Sequence, residues 1–593
     1  MTARAMAVLG ALSVVSIAGG TRYIALLLIV LKVLLLLSLL FVPGFLLLKL
    51  IKKDYFSNDE AFLLATPASI VVYVLIFIPL YCVKSHFIWY LIFNCAFVTV
   101  ATAAAYRKKM VAEILRISPV LKYGFLMVAL SSVIALSFVS VNMTNPEKEL
   151  NNWVAVGHRG LHDLPGDNNL QYDTATVFAQ YKPPWVWPNN DTPWTMGDRP
   201  PLLGVLNGII MLSLNKRPYS FWNYLIVGIT FNSLFLLPLS MLAKRIFNRP
   251  ATAYLAVISV FLNIFIFINI YFTWPKLLAV FFLLTLIVYL WDRELSPATA
   301  SIGGAVFALG ALGHGNVLLT LPVVILSYIA FAVIRGKKTY LLYFFVSFLI
   351  LYSPWSLYKI RHQEINTSNL IGHYIPASKH SESLYQRVSD FIQDYPIEKQ
   401  FERRVALLLD AIRENRIYET LRVLQSGDIA GYLNGVYPDV FYHPVTALGE
   451  MQVLLTIIML IFYIVKSLYR KKATPFDIKM LTTFIFLAIS SYAFNVLIKW
   501  TPPNTHELPY TELIILIAAV SGITFSFGAV LRWFSFGWIF MNFTYYVIAS
   551  SLRHDFAVFD FFNIVVFTAV AAMVWLVHYF SQNQTTTDEG GNG

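Results

Sequence analysis

Long apolar runs separated by short basic loops are the dominant pattern of this chain. A membrane-spanning helix needs roughly 20 mainly apolar residues, and about fifteen segments fit that description. The pattern predicts spans over 23–48, 62–82, 87–105, 122–142, 221–243, 251–272, 276–291, 297–312, 317–334, 339–357, 452–468, 479–498, 510–530, 534–550 and 557–580. The apolar stretch from Thr2 to Gly20 reads as a first membrane segment or hairpin arm rather than a cleaved leader. Residues 201–214 are apolar but short for a crossing, so they predict a helix lying at the interface.

Two polar regions interrupt the series, 143–200 and 358–450. In the second, residues 383–425 carry apolar positions at helical spacing, among them Phe401, Val405, Leu408 and Ile412. The expected fold is an all-α polytopic membrane protein of about 14–15 spans, with outer interfacial helices and a small extracytoplasmic helical region. Its organisation reads as N-terminal spans (1–142), an outer loop with interfacial helices (143–220) and central spans (221–357). A mainly helical outer region (358–450), C-terminal spans (451–580) and a polar, Gly-rich tail expected to be disordered (581–593) complete it.

Composition agrees: 58% of the 593 residues are hydrophobic, 13% are charged, and the mean hydropathy is +0.65. A net charge of +12 would suit a polyanion partner, but its distribution does not. The basic residues cluster in short loops such as Lys52-Lys53, Arg107-Lys108-Lys109, Lys244-Arg245, Lys337-Lys338 and Arg470-Lys471-Lys472. That is the positive-inside pattern, which sets topology, and no nucleic-acid partner is expected. Two cysteines, Cys82 and Cys95, provide neither a disulfide framework nor a thiolate metal site. With the basic loops inside, residues 143–200 fall outside, and there seven Asp and Glu stand against four Lys and Arg. The loops with reactive residue types all thread to that same outer side.

Those loops carry the candidate chemistry. Asp167 and Asp198 bracket a segment that also holds His158, His162, Asp163 and Asp173. A carboxylate in a water-poor cavity can take a proton from a hydroxyl acceptor, and paired carboxylates can instead hold a divalent cation such as Mg or Mn. Equally, both aspartates sit in Gly-led turns, where solvated acids are common. Arg199 and Lys276 are basic residues beside prolines at the outer boundary, suited to a phosphate or to interfacial snorkelling. His314, in Gly313-His314-Gly315-Asn316 between two apolar runs, is either a ligand-facing group or a backbone-bonded turn residue. His506 and Glu507 form a weaker polar pair. The histidines at 362, 373, 380 and 443 lack metal-ligand spacing.

The string Asp167-Asn168-Asn169-Leu170-Gln171-Tyr172, followed by Arg199-Pro200-Pro201-Leu202, resembles a pattern of the GT-C-fold glycosyltransferases that use lipid-linked sugars. This group contains the lipid A aminoarabinose transferase and the protein O-mannosyltransferases. In that family an Asp-Glu pair in the first large outer loop is followed by a tyrosine, and then by Lys-Pro-Pro-Leu opening an interfacial helix. The strings Thr273-Trp274-Pro275-Lys276, Gly313-His314-Gly315-Asn316 and Ser353-Pro354-Trp355-Ser356-Leu357-Tyr358 look like those of bacterial membrane proteins grouped with the superfamily. The resemblance covers roughly residues 122–360. It departs at Asn168, which replaces the second carboxylate and moves any such role to Asp198 or Asp163, and at Arg199, which replaces a lysine. Several spans also precede the motif loop, where the known members usually have one.

The resemblance implies a GT-C-like enzyme in the cytoplasmic (inner) membrane with its site facing the extracytoplasmic side. Its donor would be a polyprenyl-phosphate sugar, and its acceptor a lipid or cell-envelope glycan among the membrane lipids. Inverting transfer would use Asp167 as general base, with Asp198 or Asp163 as a supporting acid or metal ligand. Arg199, Lys276 and His314 would hold the donor phosphate, and Tyr172, His506 and Glu507 would line the substrate site. The alternatives are a transporter or flippase of a lipid-linked glycan and an O-antigen ligase or polymerase. Transport calls for charges along the middle of the spans; these spans read as almost free of them, and no internal repeat suggests inverted halves.

Overall fold

The computed structural model describes residues 22–51, 55–107, 113, 116–140, 170–181, 200–215, 221–291, 293–294, 296–315, 317, 339–361, 384–413, 485, 489–490, 510–526, 529–553 and 561–589. Every element among these residues is a helix, and the chain is an all-α, multi-pass membrane protein.

The first group is α1 (Arg22–Ile51), α2 (Asn58–Leu63), α3 (Ala65–Cys82), α4 (Phe87–Arg107) and α5 (Pro119–Ser140). Two short helices follow, α6 (Leu170–Ala179) and α7 (Leu202–Ser213). The centre is α8 (Phe221–Ser233), α9 (Leu236–Ile246), α10 (Pro250–Leu262), α11 (Ile264–Tyr271), α12 (Lys276–Trp291), α13 (Pro297–Gly313) and α14 (Thr339–Arg361). Then come α15 (Leu384–Asp394), α16 (Ile397–Arg413), α17 (Tyr510–Phe525), α18 (Ala529–Arg553) and α19 (Phe561–Glu589).

Among the described residues seven helices are long and apolar enough to cross a membrane, and a bent pair makes eight. The remaining expected spans at 317–334, 452–468 and 479–498 lie almost wholly outside the described residues. Most of the stretch Trp222–Ile246, formed by α8 and α9, is buried, including one complete run of 18 residues. By contrast, α4 and α14 turn Trp89, Phe93, Leu342 and Ile350 outward, as lipid requires of an outer helix. Several buried hydroxyls inside the bundle bond back along their own helices, as Thr230 donates to the Ile226 carbonyl at 2.7 Å and Ser240 to that of Leu236 at 2.7 Å. This satisfies their donors where no water is present.

Three expectations change. Residues 251–272 are not one straight span but α10 and α11, bent by 63°. The break falls at Asn263, whose extended backbone caps α11 while its Oδ1 accepts from the Ile266 amide at 3.3 Å; an asparagine there offers the backbone an alternative to helix. The last helix does not end near 580 but continues through Glu589, into the tail expected to be disordered. Within residues 383–425, α15 and α16 fall where helical spacing put them, but Phe401 on the expected apolar stripe is exposed.

The two ends of the bundle differ chemically. At one end Lys49 donates to the Phe56 carbonyl at 2.8 Å and lies 3.7 Å from Glu113. At that end too Arg293 forms a two-pronged ion pair with Glu60, donates to the Tyr55 carbonyl and lies 4.5 Å over the Tyr55 ring. Burial would push the Glu60 carboxyl up, but bonds from Arg293 and the Ser57 amide outweigh it and hold the group below the usual glutamate range. These contacts clasp α1 and α2 to the end of α12. The opposite end gathers the residues described next.

Candidate functional site

The site is built around the two short helices. Pro201 caps α7 and offers no side-chain acceptor, so its first-turn amides need partners from elsewhere. Gln171, in the first turn of α6, supplies one: its Oε1 accepts from the Gly204 amide at 2.9 Å, and its Nε2 donates to the Pro200 carbonyl at 3.1 Å. Gly204 makes the pairing possible, because a Cβ there would overlap the Thr174 side chain. One turn on, Gly208 lies against Phe178 and Ala175, a small-residue spacing that lets helices approach in lipid. The two motif strings are thereby tied together: Gln171 stands four residues after Asp167, and Pro200 directly follows Arg199.

From α6 a continuous set of side chains crosses to the bundle. The Tyr172 ring meets that of Tyr224 on α8 edge-on, centroids 5.6 Å apart. Asp173 is buried beside them, near enough to act on both phenols. Burial, together with that carboxylate, raises the Tyr172 hydroxyl above the usual tyrosine range, so it stays a neutral donor. The Tyr224 hydroxyl lies beside Thr273. Thr273 has a φ of 61°, a left-handed conformation that a β-branched residue adopts at a cost of about 1–3 kcal/mol. Its side chain presses onto Gly228 of α8, where a Cβ would come within 2.9 Å of it.

The strained residue delivers Trp274-Pro275-Lys276. Lys276, 7% exposed, is the first residue of α12, and its Nζ lies 4.3 Å from the Trp274 ring centre and 4.8 Å from that of Tyr510. It also donates toward the Tyr510 hydroxyl at 3.5 Å. That hydroxyl donates to Asn269 Oδ1 at 2.9 Å, and Asn232 Nδ2 donates to the Asn269 carbonyl at 3.0 Å. An ammonium at a helix N-terminus faces the positive end of the dipole, an arrangement disfavoured by about 0.3–1 kcal/mol. The aromatic faces offset part of this, and an ammonium beside helix amides is the kind of arrangement that attracts an anion.

His314 is buried at the end of α13, its amide donating to the Gly310 carbonyl at 3.0 Å and its carbonyl accepting from the Val317 amide at 3.2 Å. Gly313 beside it packs on Ala279, one turn into α12 from Lys276. The structure therefore brings Tyr172, Lys276 and His314 to one end of the bundle. Asp163, Asp167, Asp198, Arg199, His506 and Glu507 lie outside the described residues. Among the described residues no three His, Cys, Asp or Glu side chains converge as a metal site.

Sequence reasoning missed three contributors. Asp173 was read as one loop acid among several, and nothing in its helix, which also carries Gln171, Thr174 and Thr176, marks it in the sequence as buried. Gln171 was passed over as a spacer. Lys32 is a charge inside α1, 5% exposed, with its Nζ 3.0 Å from Asn223 Oδ1, in spans read as almost free of charge. The chain matches no protein-family model, no curated protein and no solved structure.

Proposed function

We propose that the chain is a GT-C-like glycosyltransferase that moves a sugar from a polyprenyl-phosphate donor to a lipid or cell-envelope glycan at the outer face of the cytoplasmic membrane. The observation that supports this most is the buried Lys276 at the N-terminus of α12, reached through Thr273, Tyr224 and Tyr172 from the helix that follows Asp167. Asp167 takes the proton of the acceptor hydroxyl. The acceptor oxygen attacks the anomeric carbon from the face opposite the phosphate, the bond from that carbon to the phosphate oxygen breaks, and polyprenyl phosphate leaves with configuration inverted. Negative charge grows on the departing phosphate, so fixed cations in a water-poor cavity stabilise the transition state more than the ground state. Arg199, Lys276 and His314 are assigned that role, with Tyr172 beside the substrate.

A panel of polyprenyl-phosphate sugars with envelope lipid extract, offered to the protein in nanodiscs, tests the reading. Wild type is expected to release polyprenyl phosphate, and a folded Asp167→Asn variant to lose this release. Turnover that survives Asp167→Asn moves the base to Asp198 or Asp163, and loss of turnover with EDTA, restored by Mg or Mn, gives those carboxylates a cation. No turnover with any donor overturns the proposal.

Lys32 within α1 and the 63° break between α10 and α11 favour a second reading. Intramembrane charges and broken helices are features of transporters. Movement of a fluorescent lipid-linked glycan between leaflets without cleavage of its phosphate–sugar bond distinguishes it from transfer.

A further inference from the structure

Tyr510 is the first residue of α17, and it meets the bent pair of helices through α11. Phe265 and Asn269 stand one turn apart on α11, on a common face. The Phe265 ring packs edge-on against that of Tyr510, centroids 5.1 Å apart, and Asn269 Oδ1 accepts from the Tyr510 hydroxyl at 2.9 Å. All three side chains are buried. The segment that carries Asn269 is itself pinned. Its carbonyl is among the last of α11, where no later amide of the helix reaches it, and Asn232 of α8 donates to it at 3.0 Å.

The direction of each bond in this group follows from its members. Asn269 Nδ2 donates to the Phe265 carbonyl at 2.7 Å. A carbonyl only accepts, so the nitrogen side of the amide faces Phe265 and the oxygen side faces Tyr510. That oxygen also only accepts, which commits the one hydroxyl proton of Tyr510 to Asn269. The phenol oxygen then offers lone pairs alone. What faces it is the Lys276 ammonium, 3.5 Å from the oxygen and 4.8 Å from the ring centre. An ammonium has donors and no acceptor, so the two groups match only while the phenol proton points the other way. A Tyr510 proton turned toward Lys276 would set two donors against each other in a buried site, where mismatched polar groups are costly.

We propose that Asn269 is a positioning residue for the ammonium of Lys276. It orients the Tyr510 hydroxyl, and the hydroxyl so oriented, with the Tyr510 and Trp274 rings, holds Lys276 Nζ where it meets a lipid-linked phosphate. The inference rests on the transferase reading for the identity of that anion, and on the bonds themselves for the polarity of the relay.

Two variants test it in nanodiscs. Asn269→Leu keeps the approximate shape and removes the acceptor, and Tyr510→Phe keeps the ring and removes the hydroxyl. Each should lower polyprenyl phosphate release about tenfold, within the range of coupling in one hydrogen-bonded network. The discriminating comparison is with Lys276→Met. On that background neither variant should lower release further, whereas a residue that acts only through packing would lower it again. A further tenfold fall on the Lys276→Met background, or an unchanged rate in either single variant, overturns the proposal. Where Asn269→Leu fails to fold, Tyr510→Phe alone decides. Retention of polyprenyl phosphate itself, read by native mass spectrometry, separates the relay from the transferase reading. If wild type turns over no donor, the transferase reading falls and the relay is judged on retention. It stands if retention drops about tenfold in Asn269→Leu and in Lys276→Met and no further in the double variant. In that case, no retention by wild type, or retention undiminished in Asn269→Leu, overturns it.

Discussion

At the scale of single residues, the chemistry proposed for Lys276 is separable from its structural role. Removing one pre-organised charge from a water-poor site typically costs 10²–10³ in turnover, about 3–4 kcal/mol. Lys276→Met should therefore lower polyprenyl phosphate release by roughly that factor while leaving the thermal midpoint unchanged or raised, because it relieves a buried charge at the positive end of α12. Lys276→Arg should recover part of the rate, since it keeps charge but not position. A rate unchanged in Lys276→Met would restrict this lysine to packing between Trp274 and Tyr510. Lys276 was legible in the sequence because a basic residue beside a proline breaks an apolar run at its boundary. Lys32 was not, because one ammonium inside thirty mainly apolar residues is averaged away, and only packing against Asn223 reveals that it faces inward. Asp173 was hidden in another way, among loop acids that the sequence cannot sort into buried and solvated.

At the scale of elements, the apolar pattern located most helices because lipid demands a fixed length of apolar chain; α12 has the bounds that the run 276–291 suggested. The break at Asn263 was not legible, since one polar residue between apolar neighbours reads equally well as a tolerated helix position. The link between α6 and α7 was not legible either. It depends on a glutamine capping another helix and on glycines whose missing side chains matter only once Thr174 and Phe178 are placed against them. This link yields a sharp expectation. Gln171→Leu leaves the Gly204 amide and the Pro200 carbonyl buried without their partner, at a cost of about 1–3 kcal/mol for each group so orphaned. The variant should unfold at a lower temperature by intrinsic fluorescence. It should also turn over more slowly although Asp167 and Arg199 are untouched, because the segments carrying them lose their common tether. Gln171→Glu retains the acceptor for the Gly204 amide and should fall between the two. Lowered stability with an undiminished rate would show that the tether holds the helices but not the chemistry.

At the scale of the whole molecule, the chain separates its two charged populations along the bundle. At one end Lys49 and Arg245 lie in the last turns of their helices and Arg293 just past α12; Lys49 meets Glu113, Arg293 meets Glu60, and Arg245 donates to the Val288 carbonyl. Tyr172, Lys276, His314 and Tyr510 begin or end helices at the other. The positive-inside pattern assigns the first end to the cytoplasm, and the two cysteines allow that assignment to be measured. Cys82 is exposed at the end of α3, beside the turn whose Ser85 carbonyl accepts from the Tyr181 hydroxyl at 2.8 Å. Since Tyr181 lies two residues past the end of α6, Cys82 shares the end of the bundle that holds the candidate site. Cys95 lies within α4 and is only partly exposed. In a Cys95→Ser background, a membrane-impermeant maleimide added to intact cells should label Cys82. In inverted vesicles the same reagent should fail until detergent is added. Labelling only from the cytoplasmic side would invert the topology and put the candidate site among cytoplasmic substrates, where activated sugars are nucleotide-linked and soluble. A polyprenyl-phosphate donor taken at the outer face would then be excluded, whatever the geometry around Lys276.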